Sequence, residues 1–248
     1  METTAVEITT ADGVANACLA RPDGDPRPGV LFIADAFGLR PAIKDMVDHI
    51  AAEGYVVLAP NVFYRAGRAP VELPLEPMDH ERSAAVFASV RPLIEQLTPA
   101  RIASDGAAYL EYLGTVARPG PLALTGYCMG GRLAWRIAAA HPDRVAALAA
   151  FHTAGLVIDA PDSPHHSAAA LQPIEAYFGF ADQDQGATPA QIAELEESLR
   201  AARVRYRAEI YEGARHGYAV PDSPVYSEAA AQRHYRELLA LLERRLSA

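Results

Sequence analysis

The feature that most constrains the fold is an apolar, strand-like run that leads through a glycine-flanked cysteine directly into a helical pattern. Residues 121–127 precede Cys128, with Gly126 two positions before it and Gly130 and Gly131 just after it. Glycines at these positions let the backbones of a strand and the following helix pass close together around a strained turn. The segment therefore predicts a nucleophile elbow, with the thiol at the tip of a strand–turn–helix unit.

The rest of the chain alternates between strand and helix patterns. Short β-branched or apolar runs predict strands at 5–9, 13–20, 30–34, 55–58, 121–127, 145–151, 174–180 and 206–211. Helical spacing is found at 42–53, 83–97, 100–116, 132–140, 189–202 and 226–246. From the third strand onward this order predicts a parallel sheet covered by helices on both faces. The first two strands are joined by a turn signal at 11–13 and should form an antiparallel edge.

Length and composition agree with one α/β domain spanning residues 1–248, built on a mostly parallel sheet of about eight strands. The longest irregular stretch, 153–172, is expected to be a surface excursion near the site. The formal net charge of -9 makes nucleic acid an improbable partner. We find neither a signal peptide nor an apolar run long enough to span a membrane, so the expected location is the cytoplasm.

A cysteine nucleophile needs a base, because an ordinary thiol is only a few per cent thiolate at pH 7. His216 follows the last predicted strand, where the order nucleophile, acid, histidine of an α/β-hydrolase places it. The acid should come from the end of the intervening strand, where Asp182 and Asp184 are both candidates. Asp182 is preferred because it lies three residues after Gly179, and Asp184 stays open as the alternative.

A tetrahedral intermediate needs donors for its oxyanion, normally the amide after the nucleophile and one from the loop after an early buried strand. Met129 and the loop at 34–38 occupy those places. The carboxylate of Asp35 in that loop is expected either to face the thiol or to serve as a plain turn residue.

Several motifs make the chain resemble the dienelactone hydrolase family over nearly its whole length from Val30. They are Asp35-Ala-Phe-Gly38, the run at 54–64, Gly126-Tyr-Cys-Met-Gly-Gly131, the segment 179–182 and Gly213-Ala-Arg-His-Gly-Tyr218. The resemblance implies an α/β-hydrolase fold. It also implies that Cys128, Asp182 and His216 form a catalytic triad, with the amides of Ala36 and Met129 as the oxyanion hole.

The resemblance also marks positions that decide the substrate. Its best known members hold the resting thiol with a Glu where this chain has Asp35, and they clamp a substrate carboxylate between two arginines. Arg82 matches one of those arginines, whereas Val220 stands at the position of the other, four residues after His216. Half of the clamp is therefore missing. Phe37, Phe63, Tyr64 and Val220 would favour an uncharged or longer acyl group if they line an apolar pocket.

The leading hypothesis is hydrolysis of a small ester or lactone through a thioacyl-enzyme on Cys128, with no metal and no organic cofactor. The first alternative is an esterase or thioesterase acting on an uncharged or longer acyl substrate. The second is a non-catalytic binding protein that has kept the pocket of the fold. A small-molecule substrate is the expected partner, and the expected assembly is a monomer or a small homo-oligomer.

Cys128→Ala is expected to abolish ester hydrolysis, since loss of a triad nucleophile costs on the order of 10⁴ to 10⁶ in rate. Cys18→Ala is the matched control, because Cys18 lies in a short strand-like run typical of a small packed side chain. Steady-state assays and iodoacetamide labelling of both variants test the assignment. Activity that survives labelling of Cys128, or that is lost with Cys18, would contradict it.

Overall fold

The computed structural model describes residues 1–68 and 80–246, with the side chains of residues 80, 82 and 83 outside the description. The strands are β1 (Glu2–Thr10), β2 (Gly13–Arg21), β3 (Gly29–Ile33), β4 (Val56–Pro60), β5 (Leu122–Tyr127), β6 (Val145–Phe151), β7 (Glu175–Gln183) and β8 (Arg205–Arg215). The helices are α1 (Pro41–Ala52), α2 (His80–Glu95), α3 (Pro99–Val116), α4 (Met129–Ala140), α5 (Pro189–Ala201) and α6 (Glu228–Leu246). Short 3₁₀ helices cover Tyr64–Ala66 and Pro164–Leu171.

These eight strands form one sheet in the order β1-β2-β4-β3-β5-β6-β7-β8. Strand β2 pairs antiparallel with both β1 and β4. From β4 through β3 to β8 the neighbouring strands are parallel. The predicted parallel sheet with an antiparallel N-terminal edge is therefore confirmed.

Helices cover both faces of the sheet, as predicted. Strands β3, β5 and β6 are buried along their whole length, which is typical of central parallel strands. One face packs against the apolar sides of α1 and α6, and the other against α3, α4 and α5. Among the helices of the described ranges, none is both long and apolar enough to cross a bilayer.

Two of the differences from the sequence-based expectation concern β7 and the stretch 153–172. Strand β7 continues to Gln183 rather than ending at residue 180, because it keeps pairing with β8 through an irregularity between Ala181 and Gln183. The stretch 153–172, expected to be irregular, contains the 3₁₀ helix Pro164–Leu171. The longer β7 decides which carboxylate reaches the candidate site, because it moves the end of the strand by three residues.

Candidate active site

Cys128 occupies a strained turn between the end of β5 and the start of α4. Its backbone has φ 55° and ψ −122°, a left-handed conformation that is uncommon for a residue with a side chain. Its amide donates a hydrogen bond to the carbonyl of Phe151 on β6 at 3.0 Å. The thiol is thereby fixed at the carboxyl edge of the sheet, at the N-terminus of α4, where the helix dipole favours a thiolate.

The glycines around Cys128 are required by the close approach of backbone to backbone. A Cβ atom on Gly126 would lie 2.3 Å from the carbonyl oxygen of Gly130, and one on Gly130 would lie 2.2 Å from that of Ile33. Both distances are far inside van der Waals contact, so a side chain at either position would force the strand and helix apart. This geometry agrees with the steric reason for which the sequence motif predicts an elbow.

His216 lies directly after β8 and joins the thiol to a carboxylate. Its Nε2 atom is 2.9 Å from Sγ of Cys128, and its Nδ1 atom is 2.6 Å from Oδ2 of Asp184. The three side chains come from the ends of β5, β7 and β8. The imidazole is therefore placed to take a proton from the thiol while the carboxylate holds the ring in the required tautomer.

The carboxylate that contacts His216 is that of Asp184, so the expected placement of Asp182 against His216 is wrong. Asp182 lies within β7, is exposed, and accepts a hydrogen bond from the amide of Gly213 at 3.0 Å. The error came from ending the strand at residue 180. Because β7 continues to Gln183, Asp184 is the first residue beyond it and turns toward the histidine.

The electrostatics of the site favour a protonated imidazole. Burial alone would lower the pKa of His216, but the charge of Cys128 and the hydrogen bonds with Asp184 and Cys128 raise it to about 10. Burial would raise the pKa of Asp184, whereas the hydrogen bond and charge of His216 lower it, helped by the amide of Gly186 at 2.9 Å. Both shifts favour a charged imidazole beside an ionised Asp184 carboxylate.

Two backbone amides lie where an oxyanion hole is expected. Met129 is the first residue of α4, so its amide is one of the helix N–H groups that have no intrahelical acceptor. Ala36 follows β3 and lines the cavity that contains Cys128. The assignment of these two amides as oxyanion donors stays a prediction.

Asp35 contacts an arginine and not the thiol of Cys128, one of the two roles that the sequence left open. Its two carboxylate oxygens accept hydrogen bonds from Nη1 and Nη2 of Arg40 at 2.7 and 2.8 Å. The amide of Phe37 also donates to Asp35 at 3.0 Å, which closes a tight turn. Asp35 therefore shapes the loop after β3 and neutralises a buried cation.

A cavity of about 330 Å³ lies over the thiol, lined by Cys128, His216 and the loop after β3. Its larger apolar side chains are those of Phe37, Phe87, Val220, Pro224 and Val225, and Arg40, His152, Gln183, Arg215 and Ser223 also line it. Phe37 and Val220 thus line the cavity as the sequence suggested. The cavity is large enough to hold a small acyl group against the thiol of Cys128.

Three other residues expected to touch substrate have different outcomes. Tyr64 lies away from the cavity wall: its hydroxyl donates to Asp105 at 2.9 Å and accepts from Thr10 at 2.7 Å. That expectation is wrong, because Tyr64 joins the 3₁₀ helix to α3 and the antiparallel edge. Phe63 is likewise outside the lining and packs beside Gly38. Arg82 is on α2, but its side chain lies outside the described residues.

Arg40 and His152 are among the cavity-wall residues that were not expected from the sequence. His152 follows β6 with φ 38°, is fully buried, and its ring lies 5.4 Å from that of His216 in an edge-to-face arrangement. Burial and the neighbouring His216 lower its pKa well below the usual range, so the ring is neutral. The sequence signal for His152 was its position directly after β6, the strand that pairs with β5.

The sheet order, the strained cysteine between β5 and α4, and the histidine after the last strand define an α/β-hydrolase. The sequence profile of the dienelactone hydrolase family matches residues 15–246. The chain belongs to the dienelactone hydrolase family.

Individual relatives agree with this membership. A protein of Methylorubrum extorquens named "Putative carboxymethylenebutenolidase" is 31% identical over 94% of this chain and 78% of its own length. A protein of the same name from Escherichia coli K12 is 29% identical over 89% of this chain and 79% of its own length. The crystal structure titled "Putative Dienelactone Hydrolase" from Klebsiella pneumoniae superposes with a TM-score of 0.83, at 23% identity, covering 98% of this chain and 100% of that one. The last similarity concerns the fold alone.

Asp184→Asn is expected to lower kcat by roughly 10² to 10⁴, because an amide cannot hold the imidazole in the tautomer that accepts the thiol proton. Asp182→Asn is the matched control two residues away, and its kcat should be nearly unchanged since the amide oxygen can still accept from Gly213. Steady-state kinetics on a small ester compare the two. A crippled Asp182→Asn beside an active Asp184→Asn would contradict the placement of the acid.

Proposed function

We propose that this hydrolase cleaves a small ester or lactone through a thioacyl intermediate on Cys128. The observation that carries the proposal is the continuous line from Sγ of Cys128 through the ring of His216 to Oδ2 of Asp184, with contacts of 2.9 and 2.6 Å. Such a line activates a nucleophile and delivers a proton to a leaving group. Membership of the dienelactone hydrolase family supports the same reaction class.

In the acylation half-reaction, the sulfur of Cys128 attacks the carbonyl carbon of the substrate and the carbonyl oxygen becomes an oxyanion. The amides of Ala36 and Met129 donate hydrogen bonds to that oxyanion. Its collapse breaks the carbon–oxygen bond, and the protonated imidazole of His216 gives its proton to the departing alkoxide. With a lactone, the released hydroxyl stays attached to the acyl group.

In the second half-reaction, water replaces the alcohol. His216, now neutral, takes a proton from water as the hydroxide oxygen attacks the thioester carbon. The tetrahedral intermediate then expels the sulfur of Cys128, which regains its ion pair with the protonated imidazole, and the acid is released. Asp184 holds the ring throughout and is not itself protonated.

A second candidate is an esterase or thioesterase for an uncharged or longer acyl group. The supporting observation is the apolar wall of the cavity, where Val220 occupies the position at which the family resemblance expects an arginine. Phe87 adds a large exposed ring at the same wall, 46% accessible to solvent. Both candidates use the same chemistry at Cys128 and differ in what the cavity holds.

The proposal is tested by trapping the acyl group on the enzyme. A library of p-nitrophenyl esters, mixed with wild type and quenched in acid, should give intact masses increased by one acyl group. Peptide mapping should place that group on the peptide containing Cys128. The thioester persists for this mapping because it hydrolyses more slowly in the acid quench than on the active enzyme. Cys128→Ala is the control. An adduct on another residue, or undiminished ester hydrolysis by Cys128→Ala, would contradict the intermediate.

A further inference from the structure

Arg40 lies in the cavity wall with every N–H group of its guanidinium engaged. Nη1 and Nη2 pair with Asp35, while Nε and Nη2 pair with the carboxylate of Asp222 at 2.7 and 2.9 Å. The fifth donor reaches the carbonyl of Gly38 at 3.1 Å. The guanidinium has five N–H donors in all, so none is left for a ligand.

This cluster of Asp35, Arg40 and Asp222 is charged and largely shielded from solvent. The side chains of Arg40 and Asp35 are only 3% and 8% exposed, and that of Asp222 is 24% exposed. Burial alone would lower the pKa of Arg40, but the two carboxylates raise it, so the guanidinium stays cationic. Two carboxylates around one guanidinium leave the cluster with one net negative charge.

The cluster lies beside the path of the acyl group. Asp35 and Arg40 line the same cavity as Cys128, and Asp35 directly precedes Ala36, the expected oxyanion donor. Asp222 belongs to the turn of Val220, in which the amide of Ser223 donates to the carbonyl of Val220 at 3.0 Å. At this turn Val220 lines the cavity, whereas the carboxylate of Asp222 is held on Arg40 behind the cavity wall.

Building on the proposed function, we propose that the cluster makes this enzyme select acyl groups without a negative charge, and that Asp222 withholds Arg40 from substrate carboxylates. A carboxylate entering the cavity would meet the net negative charge of the cluster. It could bind Arg40 only by displacing a partner that is already bound bidentately. A neutral acyl group meets neither barrier and packs against the apolar wall.

The other basic side chains that line the cavity do not reverse this selection. Among the described residues of the wall, the remaining basic side chains are Arg215, His216 and His152. Arg215 is exposed, so solvent screens its charge. His216 already lies between the sulfur and Asp184, and His152 is neutral.

The first test measures the effect of charge in the cavity through the alkylation of Cys128, which requires no catalytic turnover. In a Cys18→Ala background, the rates at which iodoacetate and iodoacetamide alkylate Cys128 are measured, since the two reagents differ mainly by one negative charge. Asp222→Asn removes one negative charge, so the iodoacetate to iodoacetamide ratio should rise by roughly three- to thirtyfold over the background protein. Asp143→Asn, an equal charge change at an exposed position, should leave the ratio unaltered.

A ratio that stays the same in Asp222→Asn, or that rises equally in Asp143→Asn, would overturn the proposal. Arg40→Met supplies a change of opposite sign: it leaves two carboxylates without their cation and should lower the ratio. Asp222→Asn tests the proposal even if Arg40→Met does not fold. Asp222 is partly exposed, and the carboxamide oxygen of the Asn can still accept a hydrogen bond from Arg40.

The second test uses substrates of matched length. Wild type should hydrolyse p-nitrophenyl butyrate with a kcat/KM at least roughly tenfold above that for the mono-p-nitrophenyl ester of succinic acid, and Asp222→Asn should narrow the gap. A wild-type preference for the anionic ester would overturn the selection. If neither ester is cleaved, the proposed function fails, whereas the alkylation ratio still decides the charge selection.

Discussion

The contact between Sγ of Cys128 and Nε2 of His216 is the interaction on which the rest of the site depends. It joins residues 88 positions apart in the chain, and it exists because parallel strands bring their carboxyl ends to one edge of the sheet. Moving either residue from this edge would leave a thiol without a base. The order β5-β6-β7-β8 places Cys128, His152, Asp184 and His216 on successive strand ends.

Holding the thiol at this edge has a conformational cost. Placing a non-glycine residue at positive φ costs about 1 to 3 kcal/mol of conformational free energy. Both Cys128 and His152 adopt such a conformation. The buried sheet and the hydrogen bond from Cys128 to Phe151 offset this strain by fixing the turn. The glycines at 126 and 130 then allow α4 to lie against β3 and β5.

Local sequence patterns were sufficient to predict the sheet, the strand–turn–helix elbow at Cys128 and the position of His216, because each leaves a signal within about ten residues. The choice between Asp182 and Asp184 depended on how far β7 pairs with β8, a contact between distant segments that a single sequence does not display. Tyr64 was misplaced for a similar reason, since its partners Thr10 and Asp105 come from distant parts of the chain. Arg40 and Asp222 are 182 residues apart, and their pairing follows only from the folded sheet.

We propose that the contact between Cys128 and His216 makes this thiol a nucleophile. The direct test is the rate at which iodoacetamide alkylates Cys128 at pH 7 in a Cys18→Ala background, measured with and without His216→Ala. His216→Ala should slow the alkylation at least roughly tenfold, because the histidine is the group placed to take the thiol proton. Equal alkylation rates in the two proteins would contradict the claim.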